Sequence, residues 1–68
     1  MAVAKIIELV GSSEKSWEDA VKKALERASK TIRNIRGIDV LGFKAVVRDN
    51  KIVEYRAHIK ISFLVEEA

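Results

Sequence analysis

Ile52-Val53-Glu54-Tyr55-Arg56-Ala57-His58-Ile59-Lys60-Ile61-Ser62-Phe63-Leu64-Val65 is the run that decides how this chain folds. Val53, Tyr55, Ala57, Ile59, Ile61, Phe63 and Val65 are apolar, while Glu54, Arg56, His58, Lys60 and Ser62 alternate with them. A period of two held this long predicts a β-strand with one face in a core and one polar face. The other segments read as elements that cover the apolar face. Function is then to be sought on the polar face or in how several chains assemble.

Working back from that strand, Asp49-Asn50-Lys51 reads as a turn and Ile38 to Arg48 as the strand before it. Leu41, Phe43, Ala45 and Val47 share one parity in that strand, Ile38 and Val40 the other, and the switch beside Gly42 predicts a β-bulge or bend. For Phe43 and Ala45 to share a face with Ala57 and Tyr55, the connection must hold an odd number of residues, as Asp49 to Lys51 does. That register sets Lys44 opposite Arg56 and Val46 opposite Glu54.

Further upstream, Ser16 is a good helix N-cap with Asp19 three residues on, and Ser13 competes with it one turn earlier. Trp17, Val21, Ala24, Leu25, Ala28, Ile32 and Ile35 recur at helical spacing, so a helix is expected through this region, with Gly37 ending it or its exit turn. Its other face carries Glu18, Asp19, Lys22, Lys23, Glu26, Arg27, Lys30 and Arg33. Acids lie early and bases late, and Glu18 with Lys22, Asp19 with Lys23 and Glu26 with Lys30 are i,i+4 pairs. Dipole and pairing account for this face without nucleic acid. Val3 to Val10 is rich in β-branched residues and reads as a strand closed by a turn at Gly11-Ser12-Ser13.

The order is β-α-β-β, an α+β domain covering residues 1–68. The helix returns the chain so that the first two strands run the same way, and the hairpin sends the third back between them. The expected result is an antiparallel sheet of order 1-3-2 with the helix on one face.

Composition narrows the function. A chain of 68 residues buries only about 60% of its unfolded surface and needs support from disulfides, a metal or oligomerisation. There is no Cys and one His, which removes disulfides and zinc sites built on thiolates or clustered imidazoles. Oligomerisation is the support left. Thirteen Lys and Arg against ten Asp and Glu give a net charge of +3, a mild preference for anionic partners that does not demand nucleic acid. The longest apolar run falls far short of the ~20 residues that cross a bilayer. No signal peptide is evident at the N-terminus, so the chain reads as cytoplasmic.

Catalytic patterns do not emerge. There is no Cys nucleophile, His58 has no Ser and Asp partners evident in sequence, and neither Gly11 nor Gly42 belongs to a phosphate-cradling motif. The chain does not read as an enzyme. His58 reads as a surface residue of a polar strand face, and Asp39, Asp49 and Glu54 are isolated carboxylates, weak metal signals beside an EF-hand loop. Trp17 opens the apolar stripe of the helix and reads as a core or subunit-interface residue before a ligand platform.

Glu8-Leu9-Val10-Gly11-Ser12-Ser13-Glu14-Lys15-Ser16-Trp17, Ala24-Leu25-Glu26-Arg27-Ala28, Thr31-Ile32-Arg33-Asn34-Ile35, and Glu54-Tyr55-Arg56 leading into Ile61-Ser62-Phe63 resemble the dodecins. These are small flavin-binding proteins of β-α-β-β fold that form hollow homododecamers. The resemblance covers nearly the whole chain. It implies a non-enzymatic ligand-binding or storage shell of twelve copies, with riboflavin or FMN as ligand. It also implies that a Trp just after the helix stacks on the flavin and that a Gln in the last strand hydrogen-bonds it.

Gly37 stands where that Trp is expected and Arg56 where the Gln is expected, so both positions depart from the pattern. Gly37 offers no ring, and Arg56 donates hydrogen bonds but cannot accept one from the flavin ring N–H. Flavin binding is therefore expected to be weakened or lost. Calcium, or a phosphate-bearing nucleotide such as coenzyme A, is the other ligand class the resemblance carries; a structural or interaction module is the remaining alternative. Lys44, Arg56, His58 and Lys60 share the polar face, with only Glu54 close enough to balance them. Like charges opposite each other on a sheet call for compensation. An anionic group, from a ligand phosphate or a neighbouring subunit, is thus expected beside Arg56.

Overall fold

The computed structural model describes residues 3–65. Strand β1 spans Val3–Ser13, helix α1 Trp17–Ser29, strand β2 Ile35–Arg48 and strand β3 Lys51–Val65. The strands form one sheet of order β1-β3-β2 with both pairings antiparallel, as the sequence predicts. The longest, most regular strand is the central one.

Ser16 is the N-cap: its hydroxyl accepts from the Asp19 backbone N–H at 3.0 Å. Ser13 does not cap the helix. It donates to the Asp19 carboxylate at 2.5 Å and accepts from the Lys15 N–H at 2.9 Å, tying the end of β1 to the first turn of α1. Two of the expected i,i+4 pairs form, Glu18 with Lys22 and Asp19 with Lys23, each at 3.4 Å.

The helix stops earlier than its apolar periodicity implies. It ends at Ser29, with Lys30 as C-cap, and Ile35 already lies in β2. Lys30 is therefore outside the helix, and its pairing with Glu26 does not form. Gly37 is a strand residue opposite Ser62, not a helix terminator. The chain turns instead at Asn34, whose φ of 61° is the left-handed conformation that Asn tolerates.

Gly11-Ser12-Ser13 is likewise strand and not turn. A Cβ at Gly11 would collide with the Ala20 carbonyl oxygen and lie 2.9 Å from the Ala24 Cβ. Gly11 is where helix and strand backbones meet most closely. The core continues from there through Ala20, Ala24 and Ala28 of α1 and Ala57, Ile59 and Ile61 of β3, with Ile7, Leu9, Ile32, Ile35 and Ile38 half-buried around it. Val53 and Val65, at the ends of the alternating run, remain exposed.

The hairpin has the expected register by a different route. Arg48 pairs with Lys51, so the turn is the two residues Asp49 and Asn50, whose φ values of 50° and 62° are those of a type I′ turn. A bulge between Val46 and Val47 adds the missing residue in β3, and Lys44 opposes Arg56 and Val46 opposes Glu54. Of the two other register shifts in this pairing, the one between Val40 and Gly42 lies where the parity switch predicts it, and the other falls between Ile35 and Gly37.

Candidate functional site

Cross-strand partners share a face, so the sheet side away from α1 can be read from the register. Arg56, His58, Lys60 and Ser62 of β3 are flanked by Ser12, Val10, Glu8 and Ile6 of β1, and by Lys44, Gly42, Asp39 and Gly37 of β2. All three expected ligand residues, Gly37, Lys44 and Arg56, lie on this open face. Within one chain they are not one pocket. Arg56 and Lys44 are adjacent, whereas Gly37 opposes Ser62, six residues along β3 from Arg56, about 20 Å at ~3.3 Å per residue.

The anion beside Arg56 is Glu54 of the same chain. Its carboxylate accepts from Arg56 Nε at 3.1 Å and from Nη2 at 3.4 Å. Residues two apart in a strand point the same way, which is what lets this pair form. The Arg56 hydrogen bond holds the Glu54 carboxyl below its ordinary value, against partial burial. A further carboxylate comes from β1, outside the hairpin: Glu8 lies 2.8 Å from His58 Nε2 and 3.9 Å from Lys60 Nζ. Sequence reasoning overlooked Glu8 because only the β1–β3 register, Glu8 opposite Lys60, reveals it.

The Asp19 carboxyl is also lowered, chiefly by the Ser13 hydroxyl with Lys23 adding to it. Both carboxylates are more acidic folded than unfolded. The stability they contribute is thus complete above the ordinary carboxylate range and fades as pH falls through their lowered values. Thermal melting is expected to be insensitive to these groups between pH 7 and 5, and to fall below about pH 4. Glu54→Gln combined with Asp19→Asn should flatten that acid limb, and an unchanged limb would contradict the assignment.

Lys44 is held by its backbone as well as its pairing. Trp17 Nε1–H donates to the Lys44 carbonyl at 3.0 Å across the edge of β2. The indole packs edge-on against Tyr55, centroids 4.9 Å apart, and tilted against Phe43 at 5.8 Å. The Trp17 ring thus has protein partners on two sides. A cleft of about 400 Å³ opens beside Lys44, lined by Val10, Gly42, Phe43, Lys44, Arg56 and His58. A larger groove of about 690 Å³ runs between the end of α1 and the start of β2, past Leu25, Ile32, Ile35 and Gly37.

The family model for dodecin matches residues 3–66. The chain belongs to the dodecin family. It is 35% identical to the dodecin of Thermus thermophilus over 65 residues, covering 96% of this chain and 94% of that one. It is 32% identical to the calcium dodecin of Mycobacterium tuberculosis over 68 residues, covering 100% and 96%. Among solved structures, the Thermus thermophilus protein superposes with a TM-score of 0.94 at 34% identity over the full length of both chains. Dodecin from Streptomyces coelicolor superposes at 0.94 with 27% identity, covering 98% of this chain and 96% of that one. The calcium dodecin, described as having a novel calcium-binding site, superposes at 0.84 with 30% identity, covering 97% and 94%. The fold of this chain is that of those structures. Among the described residues no helix is long and apolar enough to cross a membrane.

Proposed function

We propose that this dodecin is a non-enzymatic ligand-binding or storage subunit, that residues 1–68 act as one domain, and that its copies close into a homo-oligomer of twelve. One observation carries the assembly. Helix α1 packs on β1 and β3 and leaves the far half of β2 uncovered, so Val40, Phe43 and Val47 are 44%, 58% and 58% exposed on that arm. Ile52 and Val53 continue the apolar strip onto β3. So much exposed apolar surface on so small a chain marks an interaction surface, and a further copy supplies the burial that one copy lacks. Native mass spectrometry of the freshly purified protein tests this: a twelve-subunit species is expected, and a monomer at micromolar concentration overturns it.

The ligand is proposed to meet Gly37, Arg56 and Lys44. Because Gly37 and Arg56 lie far apart in one chain, a ligand that touches both is shared between copies. Riboflavin and FMN are expected to bind more weakly than in dodecins with a Trp and a Gln at these two positions. Aromatic stacking contributes about 0.5–1.5 kcal/mol beyond the area it buries, and Glu54 already occupies the guanidinium of Arg56. Restoring Gly37→Trp with Arg56→Gln should tighten riboflavin about tenfold, read by fluorescence quenching. A Cβ at Gly37 meets only Ser62 Oγ, at 3.3 Å, and its φ is not positive, so the strand accepts the change. Nanomolar riboflavin affinity in the unaltered protein would overturn this reading.

A phosphate-bearing ligand is the second reading, favoured by Lys44, whose ammonium makes no ion pair among the described residues. Calcium has less to rest on within one chain, since the described residues bring together no group of three or more His, Cys, Asp or Glu.

A further inference from the structure

Net charge is not spread evenly over the chain. Residues 18–36, which run through α1 and its exit into β2, hold six Lys and Arg against three Asp and Glu, while seven of each lie elsewhere and cancel. The whole excess of +3 therefore belongs to this segment. Lys22 and Lys23 are taken up by Glu18 and Asp19. Arg27, Lys30, Arg33 and Arg36 follow at intervals of three, all exposed, and none of them makes an ion pair among the described residues. Glu26 is the acid left over, and it does not reach Lys30 because the helix ends first.

The negative end of α1 accounts for Arg27 and Lys30, which lie in its last turn and at its C-cap. It does not account for Arg33 and Arg36, which lie beyond it in the exit and in β2. The end of the helix forms a ridge between two grooves. Lys23, Arg27 and Thr31 line one of about 420 Å³ along β1, and Lys22 and Arg36 line the groove along β2 described above. Cations thus flank the ridge on both sides.

The composition of the ridge narrows what it can hold. No large apolar side chain described as exposed falls between Trp17 and Val40, and none of the four aromatic residues lies in the segment. A protein partner calls for an apolar centre with aromatic anchors, and a membrane-surface helix presents apolar residues to the acyl boundary. Single-stranded nucleic acid calls for aromatic rings on which bases stack. Exposed Arg, Lys and a Thr hydroxyl without rings or apolar groups are the contacts that duplex phosphates receive, contacts that fix position and carry no sequence information. Three of the four unpaired cations are Arg, whose planar fork matches a phosphate bidentately.

We infer that the end of α1 and its exit, through Arg27, Lys30, Arg33 and Arg36, bind the phosphate backbone of double-stranded DNA without reading its sequence. This surface is not the open sheet face and does not depend on the small-ligand reading.

The test uses the whole protein and a fluorescein-labelled DNA duplex of about 20 base pairs, followed by anisotropy. Four neutralised phosphates give a slope of log affinity on log salt of about −3.6, so binding should weaken about a hundredfold from about 50 to 200 mM salt. Scrambling the duplex sequence should change nothing. Arg33→Gln with Arg36→Gln should weaken binding at least tenfold and make the slope shallower by about 2, with the melting temperature unchanged because neither residue is paired. Arg33→Lys with Arg36→Lys keeps both charges and should keep the slope. Lys15→Gln with Lys51→Gln removes the same charge elsewhere and should leave binding as it is. An unaltered protein that does not bind the duplex at low salt overturns the inference, as does an equal loss from the Lys15 and Lys51 pair, which would make net charge the cause. Tighter binding of the single strand, or of phosphatidylserine vesicles at equal phosphate concentration, would give the ridge to another partner and overturn it too.

Discussion

Replacing Gly11 by alanine is expected to lower the melting temperature by about 5–20 °C, taking about 1–3 kcal/mol for overpacking and 4–8 °C per kcal/mol for a domain of this size. The added methyl has no free volume. It would overlap the Ala20 carbonyl oxygen and sit 2.9 Å from the Ala24 Cβ, and both are helix groups that move only if the helix moves. Lifting α1 off β1 also loosens Ala20 from the fully buried Ala57, which pairs with Gly11 across the sheet. A stability of about 3–10 kcal/mol, scaled from 0.05–0.15 kcal/mol per residue, would lose a large share. Gly37→Ala and Gly42→Ala are the controls, since their new methyl groups meet one hydroxyl at 3.3 Å and nothing within 4 Å. Assembly stabilises whatever it binds, so all three variants are compared at one protomer concentration. A Gly11→Ala protein that melts with the parent would show that α1 does not sit against β1 as described.

The same glycine shows how far the sequence could be read. Gly11-Ser12-Ser13 carries a turn's composition, and composition cannot say that a helix backbone will pass over the glycine twenty-odd atoms away in the chain. What was legible followed from strict periodicity. The alternation from Val53 to Val65 identified the central strand, and parity alone placed Lys44 opposite Arg56, although the residue count was met by a two-residue turn and a bulge. Periodicity misled at the end of the helix, where Ile32 and Ile35 continue the helical stripe but belong to the exit and to β2. The contrary signal was local: Thr31, Ile32 and Ile35 are β-branched, and Asn34 is suited to the positive φ it adopts.

The site was legible only within the hairpin. Parity brought Lys44, Arg56 and Glu54 together, and the counter-charge that Lys44 and Arg56 call for was expected from a ligand phosphate or a neighbouring subunit. Glu54 meets that need from two residues away. Glu8, fifty residues from His58 in sequence, enters through the β1 register, which rests on the whole topology and not on any local pattern. Gly42 was visible as a mark of the bulge; its open surroundings are a property of the folded sheet.

Trp17→Ala is expected to destabilise the fold or its assembly by about 2–4 kcal/mol, somewhat below the 3–5 kcal/mol of a fully buried aromatic, because Trp17 is 36% exposed. Three losses contribute. The indole gives up an edge-on contact with Tyr55 and a tilted one with Phe43, and aromatic pairs contribute about 0.5–1.5 kcal/mol beyond burial. It also gives up the hydrogen bond to the Lys44 carbonyl at 3.0 Å, worth about 1 kcal/mol net. Trp17→Phe separates these, since it keeps a ring against Tyr55 and removes only the N–H donor, and it should recover more than half of the loss. The position of Trp17 explains why the effect extends beyond the helix. It opens α1 and reaches over the β2–β3 hairpin, so it pins the uncovered arm of β2 whose exposed Phe43 and Val47 are proposed to meet the next copy. Denaturant melts read the folding loss, and native mass spectrometry read alongside them should show fewer complete oligomers in Trp17→Ala. A variant that folds and assembles like the parent but binds riboflavin differently would instead make Trp17 a ligand contact, and the packing role assigned to it would be wrong.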